Sequence, residues 1–403
     1  MSADPKPVRV LLGGIGGYGN MYVHAMLDHG AGYGAELVGA ADPAPQSCQR
    51  LEELKARGIP VLASFDEAVA TIPADLVVLS TPISLHAPHS CAALARGAHV
   101  LCEKPLCASA TDLRAMLAAR ERAGRQVSVG YQWSYSEAVL ALKRDILAGR
   151  LGAPLRLKTI VQWPRDLAYY GRNHWAGRLH DDQGRWVLDS PVNNAAAHYL
   201  HNMLFLLGER MDRSLQPDTL TAELYRANAI ETYDTALIRL QCAQGAEVFF
   251  TVSHAVETNV NPICRFEFEN AVVTFGGVDG ERFVATFTNG EVKDYGSPEG
   301  HETKLWTAIA GARSGVPGPC GIEAASSHTA CVLAAQESTA VTNFPASLVH
   351  TSPRGDSALV HVDGLADVLQ RCYDQMALPT EIGTPWARPG RDIELSPLFE
   401  MLA

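Results

Sequence analysis

Several features are missing from this 403-residue chain, and each absence removes a class of function. No stretch is rich in lysine and arginine, and no aromatic residues interleave with basic ones. With a net charge of −11, the chain lacks the electrostatic footprint of a nucleic-acid binder. No apolar run reaches the ~20 residues needed to cross a bilayer. The opening MSADPKPVRVLLGG lacks the charged head and apolar core of a secretory signal, which points to the cytoplasm. The nine cysteines are scattered and never form CxxC, so neither a structural zinc site nor a disulfide framework is expected; an odd number of them reads as reduced, mostly buried thiols. There is no internal repeat and no low-complexity segment. What remains is a globular composition, 47% hydrophobic and 19% charged, long enough for two domains with their own cores.

From Val8 to about Gly130, short β-rich runs alternate with helical stretches. VRVLLGG precedes a helix over Met21–Asp28, AELVGAAD one near Gln46–Arg57, DLVVLSTP one over His86–Arg96, and HVLCEKP one near Ala110–Ala123; QVSVGYQ follows. Continuous apolar strands separated by helices mean a parallel sheet covered on both faces. The character then changes. PLRLKTIVQW, TLTAELYRA, TALIRLQC, EVFFTVSH, ICRFEFEN, AVVTFGG and FVATFTNG are strand-like, with few helices between them. They predict a largely antiparallel sheet. Helices return at about Glu302–Arg313 and Gly321–Val341, and a strand-helix pair, SALVHV and Gly364–Gln375, leads into a Pro-rich tail. The expected layout is an α/β nucleotide domain over 1–130 and an α+β domain with a large, mostly antiparallel sheet over 131–403, ending in a C-terminal extension.

VRVLLGGIGGYGN places Gly14, Gly16 and Gly19 as GxGxxG after a strand and before a helix. The glycines permit a tight turn and close backbone approach to a pyrophosphate, and a helix N-terminus offers N–H groups to phosphates. Ile15 lies inside the loop. The next strand ends in Asp42, near the spacing at which an acid bonds the adenosine ribose hydroxyls. No arginine follows directly to hold a 2′-phosphate, so NAD is favoured over NADP. The plainer alternative is an ordinary turn with a surface aspartate. Thr81, Pro82 and His86 in TPISLH, and Glu103 and Lys104 in EKP, follow the next two strands. That is the carboxyl edge where open α/β sheets bind ligands, and these residues are assigned to the cofactor site. A lysine beside a positively charged nicotinamide has a lowered pKa and can exchange protons.

Taken together, GxGxxG, an Asp after the second strand, TPxxxH, EKP, VGYQ and a later helix carrying an inward His resemble the Gfo/Idh/MocA oxidoreductase family. The resemblance runs from about Val8 to Val341. It implies a Rossmann domain, NAD(P), hydride exchange with a secondary alcohol of a sugar or polyol, and a sheet whose outer face often makes oligomer contacts, so a homo-oligomer (dimer or tetramer) is expected. The family's lysine falls on Lys104. Its helix motif Asp-x-Gly-x-His-x-x-Asp falls on Asn194, Ala196, His198 and His201, so both carboxylates are replaced.

The stretch NNAAAHYLHNMLFLLG (Asn193–Gly208) reads as a single helix with Asn194, His198 and His201 on one face. A neutral imidazole at His198 can take the alcohol proton, whereas Asn194 can orient the ring but brings no charge to stabilise an imidazolium. Lys104, His201 and the upstream Asp189 are candidates to offset that loss. His198 and His201 supply only two metal ligands with no carboxylate or thiolate beside them, so no metal is expected. The bland alternative is two satisfied core histidines. QWPRDLAYYGRNHWAGR (Gln162–Arg178) places Trp163, Arg165, Tyr169, Tyr170, Asn173 and Trp175 in one loop. Aromatic faces stack on sugar rings while Arg and Asn read hydroxyls or a carboxylate, so the loop is assigned to substrate, with an oligomer interface as the alternative. The expected function is NAD-dependent oxidation or reduction of a small carbohydrate. A glycosidase that oxidises its substrate transiently with bound NAD is the alternative, and a non-enzymatic NAD sensor is disfavoured by the retained Lys104 and His198.

Overall fold

The computed structural model of the chain describes residues 6–402; the residues 1–5 read above for a leader lie outside that range. The chain forms two compact units. Unit 1 contains the described residues up to Tyr135 together with Gly300–Ala325, and unit 2 contains Ser136–Glu299 together with the residues from Ser326 onward.

Unit 1 is built on six strands: β1 (Val8–Gly13), β2 (Ala35–Ala41), β3 (Val61–Leu62), β4 (Leu76–Leu79), β5 (His99–Cys102) and β6 (Val127–Val129). They pair in the order β3-β2-β1-β4-β5-β6, every pair parallel. All four residues of β4 are buried, as a parallel strand covered on both faces requires. The strand order reverses between β1 and β4, which opens a crevice at their carboxyl ends. The helix Ala110–Ala123 begins where Ser109 accepts a hydrogen bond from the Asp112 N–H and stops at left-handed Gly124, a capped start and a glycine stop.

Three local expectations change. The segment Gln46–Arg57 is a 3-10 turn at Pro45–Ser47 followed by a short helix, Leu51–Ala56, because Asn20 Oδ1 takes the Gln49 N–H at 2.7 Å and holds the intervening residues out of the helix. β3 and the helix Phe65–Thr71 were not anticipated; both are too short to show a period. Residues 300–325, assigned by sequence to the second domain, group with unit 1. The helix Thr303–Ser314 turns Leu305, Ala308 and Ile309 into the core that holds Val10, Leu12 and Leu76, a stripe with helical spacing.

Unit 2 carries β7 (Pro154–Gln162), β8 (Thr219–Arg226), β9 (Thr235–Gln241), β10 (Glu247–Ser253), β11 (Val260–Phe268), β12 (Ala271–Phe275), β13 (Phe283–Phe287), β14 (Val292–Gly296) and β15 (Thr342–Asn343) in the order β14-β13-β12-β11-β7-β10-β9-β8-β15. The sheet is antiparallel except at β7–β10 and β8–β15. A hairpin, β16 (Val349–Arg354) and β17 (Ser357–Val362), stands apart, so the expected single strand SALVHV is one arm of a pair. A short β18 (Ile393–Glu394) adds to β8. On one face of the large sheet, Thr159 of β7 meets Met203 of the helix Ala197–Leu206. On the other, Ile160, Leu237 and Phe249 pack with Leu365 and Leu369, and Lys158 Nζ donates to the carbonyls of Tyr373 and Asp374 at the end of the helix Leu365–Gln375. The C-terminal extension is thus a cover over β7–β10, and two-sided burial explains why β10 reads as a continuous apolar run.

The stretch Asn193–Gly208 is not one helix. A π-helical turn spans Pro191–Ala195, Ala196 breaks it at φ −110°, and the α-helix runs Ala197–Leu206. Ser190 Oγ caps the Asn193 N–H, and the Asn193 amide donates back to the carbonyls of Val187 and Leu188. These bonds wind the entry wider than an α-turn. Asn194 therefore does not share the α-helical i, i+4 relation with His198, whereas His198 and His201 keep theirs at i, i+3.

Candidate functional site

In unit 1 the glycine loop closes on the neighbouring strand end. Gly14 has φ +83°, and a Cβ there would lie 2.6 Å from the Ser80 carbonyl oxygen, so only glycine fits on both counts. Ile15 is fully buried, but its N–H and that of Gly16 donate to Asp42 Oδ2 at 2.9 and 3.2 Å, while the Ala44 N–H donates to Oδ1 at 2.8 Å. Asp42 thus ties the loop to the end of β2. A carboxylate offers about four acceptor positions, and three are occupied here, which leaves room for a further hydroxyl donor. Gly19 opens the helix Gly19–His29, whose start has no side-chain cap. Beside it, Thr81 Oγ1 is buried without a protein hydrogen-bond partner. An uncapped helix start, a glycine-lined approach and an orphaned hydroxyl fit the pyrophosphate end of a dinucleotide.

Pro82 precedes the helix Ile83–Ala95. His86, expected at the cofactor, is instead 1% exposed, and its ring nitrogens meet the carbonyls of Pro105 at 2.7 Å and Thr81 at 2.9 Å. Burial holds this imidazole below its ordinary pKa, against the pull of the two carbonyls. Its role is to pin the Lys104-Pro105 turn, whose peptide is cis, to the end of β4.

Glu103, 6% exposed, is also not free for a ligand. It accepts hydrogen bonds from the Tyr22 hydroxyl at 2.5 Å, from the Lys104 N–H at 3.1 Å, and from Lys304 Nζ, with which it forms a buried ion pair. Lys304 completes its three donors on Tyr18 Oη at 2.9 Å and Gly130 O at 3.5 Å. Burial pushes the Glu103 carboxyl up, but the Lys304 charge and hydrogen bond and the Tyr22 hydroxyl bring it below the usual carboxylate range. A side chain at Gly130 would strike Glu103 at 2.8 Å. The result is a fixed backbone at Lys104, which is itself partly exposed. Nothing in the sequence marked Lys304, which lies 201 residues from its partner.

In unit 2 the aromatic loop is an alternating stack. The Arg165 guanidinium lies 5.6 Å from the Trp163 ring and 4.8 Å from Tyr169; Arg172 lies 3.8 Å from Tyr169 and 5.3 Å from Trp175. Tyr169 meets Tyr170 edge-on at 5.2 Å, and Trp163 meets Tyr199, the residue after His198, at 5.6 Å. Asn173 shapes the loop by accepting the Trp175 N–H. Asp189 joins this loop to the entry of the helix. Its Oδ2 accepts from the Gly177 N–H at 2.7 Å and from Arg172 at 3.2 Å, and its Oδ1 accepts from the Asn194 amide at 2.7 Å. Leu188, just before it, adopts φ +48°, a strained backbone for a branched residue and one that recurs at functional sites. A carboxylate is thus present beside position 194, five residues upstream, bound to the Asn194 amide.

His198 is partly exposed, whereas His201 is 1% exposed. Burial, with His328 and Lys143 nearby, pushes His201 well below its ordinary pKa, and its ring stacks on Phe205. The relay role expected for His201 does not suit a ring sealed in the interior. His254, which sequence reasoning missed, sits at the end of β10 under Tyr169 and Tyr170. Among the described residues no three His, Cys, Asp or Glu side chains form a group suited to a metal ion, and no helix is long and apolar enough to cross a membrane.

Residues 8–131 match the family model described as an oxidoreductase family with an NAD-binding Rossmann fold. Inositol 2-dehydrogenase of Klebsiella pneumoniae is 29% identical over 177 residues, 44% of this chain and 48% of that protein. The same enzyme of Rubrobacter xylanophilus is 30% identical over 199 residues, 48% of this chain and 55% of that protein. The chain thus matches about half the length of these curated relatives. The crystal structure of the WlbA dehydrogenase from Bordetella pertussis, in complex with NADH and UDP-GlcNAcA, superposes with a TM-score of 0.69 at 24% identity over 83% of this chain and 98% of that one, which establishes a common fold.

Proposed function

We propose, from the premise that residues 8–131 belong to the oxidoreductase family with an NAD-binding Rossmann fold, that this chain is an NAD-dependent dehydrogenase acting on a secondary hydroxyl of a sugar or polyol. The observation that carries the reading is the Gly14–Gly19 loop knitted to Asp42, with acceptor capacity left on that carboxylate and no arginine directly following it. Bound NAD supplies a hydride acceptor; the chain supplies the rest. Alcohol oxidation releases a proton, and two groups are suited to take it: Lys104, held at the carboxyl edge of the unit 1 sheet by Glu103 and His86, and His198, on the first turn of its helix in unit 2. Asp189 holds the Asn194 amide at the entry of that helix.

The test is absorbance at 340 nm with NAD, NADP and a panel of sugars and polyols. Net NADH with at least one substrate, a preference for NAD over NADP, and a kcat reduced about 10²–10⁴-fold in Lys104→Ala with NAD binding retained are expected. A wild type that prefers NADP removes the Asp42 assignment. Near-normal turnover in Lys104→Ala removes that residue from proton transfer. Release of a leaving group from aryl glycosides without net NADH replaces the dehydrogenase with the transient-oxidation glycosidase.

A further inference from the structure

Arg165 is a cation without a matching anion. The other arginines of the loop are accounted for: Arg172, in the same stack, pairs with Asp189 at 3.2 Å, and Arg178, outside it, pairs with Asp182 at 2.7 Å. Asp166, adjacent in sequence, uses Oδ1 to cap the Tyr169 N–H. Among the described residues no carboxylate forms an ion pair with Arg165, and its Nε is buried with no acceptor. A second polar group in the same place is also unmatched. His254 is 2% exposed, and the Arg165 N–H donates to its carbonyl at 3.1 Å. Tyr170 Oη lies 3.4 Å from His254 Nδ1. Burial holds the tyrosine hydroxyl in its protonated form and the imidazole neutral. Either group can donate in that contact, and the other ring nitrogen, Nε2, is buried without a hydrogen-bond partner. Buried polar groups are costly when unpaired, and two of them, one a guanidinium donor, flank Tyr169, whose ring lies 4.8 Å from the Arg165 guanidinium and 5.6 Å from the His254 ring.

We propose that this cluster is an anion subsite, and that the substrate of the dehydrogenase carries a carboxylate that Arg165 reads. The inference rests on the functional reading above and narrows its substrate class to sugar acids. The choice of anion follows from charge. One unmatched guanidinium offers a single positive charge, and its planar fork suits a carboxylate bound through two parallel hydrogen bonds. A phosphate dianion would call on a second cation, and Arg172 is already neutralised by Asp189. The Trp163 and Tyr169 rings lie 5.6 and 4.8 Å from the guanidinium carbon, within cation–π range.

The test uses the tryptophan fluorescence of NAD-loaded full-length protein, since Trp163 and Trp175 lie in the stack. D-gluconate is titrated against D-glucitol, and D-glucuronate against D-glucose. Wild type is expected to bind at least one acid about tenfold or more tightly than its neutral counterpart, with the advantage falling as salt rises. In Arg165→Gln that ratio falls to near one, and Arg165→Lys restores part of it. An unchanged NAD titration and melting temperature show that the variants are folded; if Arg165→Gln is not folded, the wild-type ratio and its salt dependence decide alone. Equal binding of acid and neutral ligands by wild type, or no binding of either acid, overturns the proposal, as does an acid preference that survives in folded Arg165→Gln. The activity reading is judged separately at 340 nm. NADH formed only from neutral polyols sinks the carboxylate subsite and leaves the dehydrogenase standing, whereas an Arg165-dependent acid preference without NADH from any substrate does the reverse.

Discussion

Glu103 in unit 1 and Asp189 in unit 2 are both nearly sealed from solvent, at 6% and 3% exposure, yet they are neutralised in different ways. Glu103 faces a lysine whose three donors are all used inside the unit, and a tyrosine hydroxyl completes the set. Asp189 faces a neutral amide, a backbone N–H and an arginine side chain that is 26% exposed. The first arrangement is closed and has nothing left to offer a ligand; its effect is positional, and its product is the fixed backbone at Lys104. The second is open. It uses one of two arginines in an aromatic stack and leaves the other unmatched. Buried charge that is fully paired fixes geometry, whereas a surplus of donors leaves a place for something that arrives later.

The closed pair can be broken outright. Lys304→Met keeps much of the volume and leaves Glu103 buried without its cation, which is expected to lower the unfolding free energy by about 3–5 kcal/mol. The pH dependence should reverse as well. In the wild type the folded-state pKa of Glu103 is depressed, so its contribution is present above the unfolded value of about 4.3 and is lost as pH falls through the folded value. In the variant, burial without a partner raises the folded pKa above the unfolded one. Its contribution is then complete below about 4.3 and is lost as pH rises through the folded value. Urea unfolding between about pH 2 and 8 measures both. A variant whose stability rises with pH in parallel with the wild type would show that the pair is incidental.

The open arrangement is sharpened by restoring the carboxylate that the helix motif lacks. Asn194→Asp does not simply place a charge near His198, because the lost amide was the donor to Asp189 at 2.7 Å. Two carboxylates then face each other, and the pair shares a proton and titrates as a unit with one apparent pKa raised. Relative to wild type, the variant should lose about 1–3 kcal/mol of stability as pH rises through that value, corresponding to a shift of one to two units. Unfolding curves at pH 4 and pH 8 that differ from wild type by the same amount would rule out the shared proton.

These contacts also show what the amino-acid order makes legible. β1, β4 and β5 are visible because strands buried on both faces are continuous apolar runs. The Gly14 loop and Asp42 are visible because both the turn and its acid are local to one βαβ unit. The Lys304–Glu103 pair is invisible because its halves lie 201 residues apart and the returning helix reads locally like any amphipathic helix. The Asp189–Asn194 contact is hidden for a different reason. It depends on a left-handed Leu188 and a π-helical turn, and neither follows from residue preference, since a leucine disfavours that backbone and the segment has the periodicity of a regular helix. The same turn is why a reading that placed Asn194, His198 and His201 on one face was correct for the two histidines and not for the asparagine.

The smallest expected effect separates those two histidines. Both lie on the helix Ala197–Leu206, three residues apart, yet only His198 retains exposure. His201 is enclosed by Phe205, His328 and Lys143, and burial keeps it uncharged through the physiological range. A neutral ring enclosed there holds no proton to relay at neutral pH, so turnover should not depend on it. His201→Leu is therefore expected to hold kcat within about threefold of wild type, roughly 0.7 kcal/mol of barrier, with no displacement of the acidic limb of the pH–rate profile. His198→Gln, by contrast, should cost about 10²–10⁴ in kcat if its ring takes the proton. The informative quantity is the pair of rates measured with one substrate and saturating NAD. A large loss in both variants restores a relay along the helix, and no loss in either leaves Lys104 as the proton acceptor.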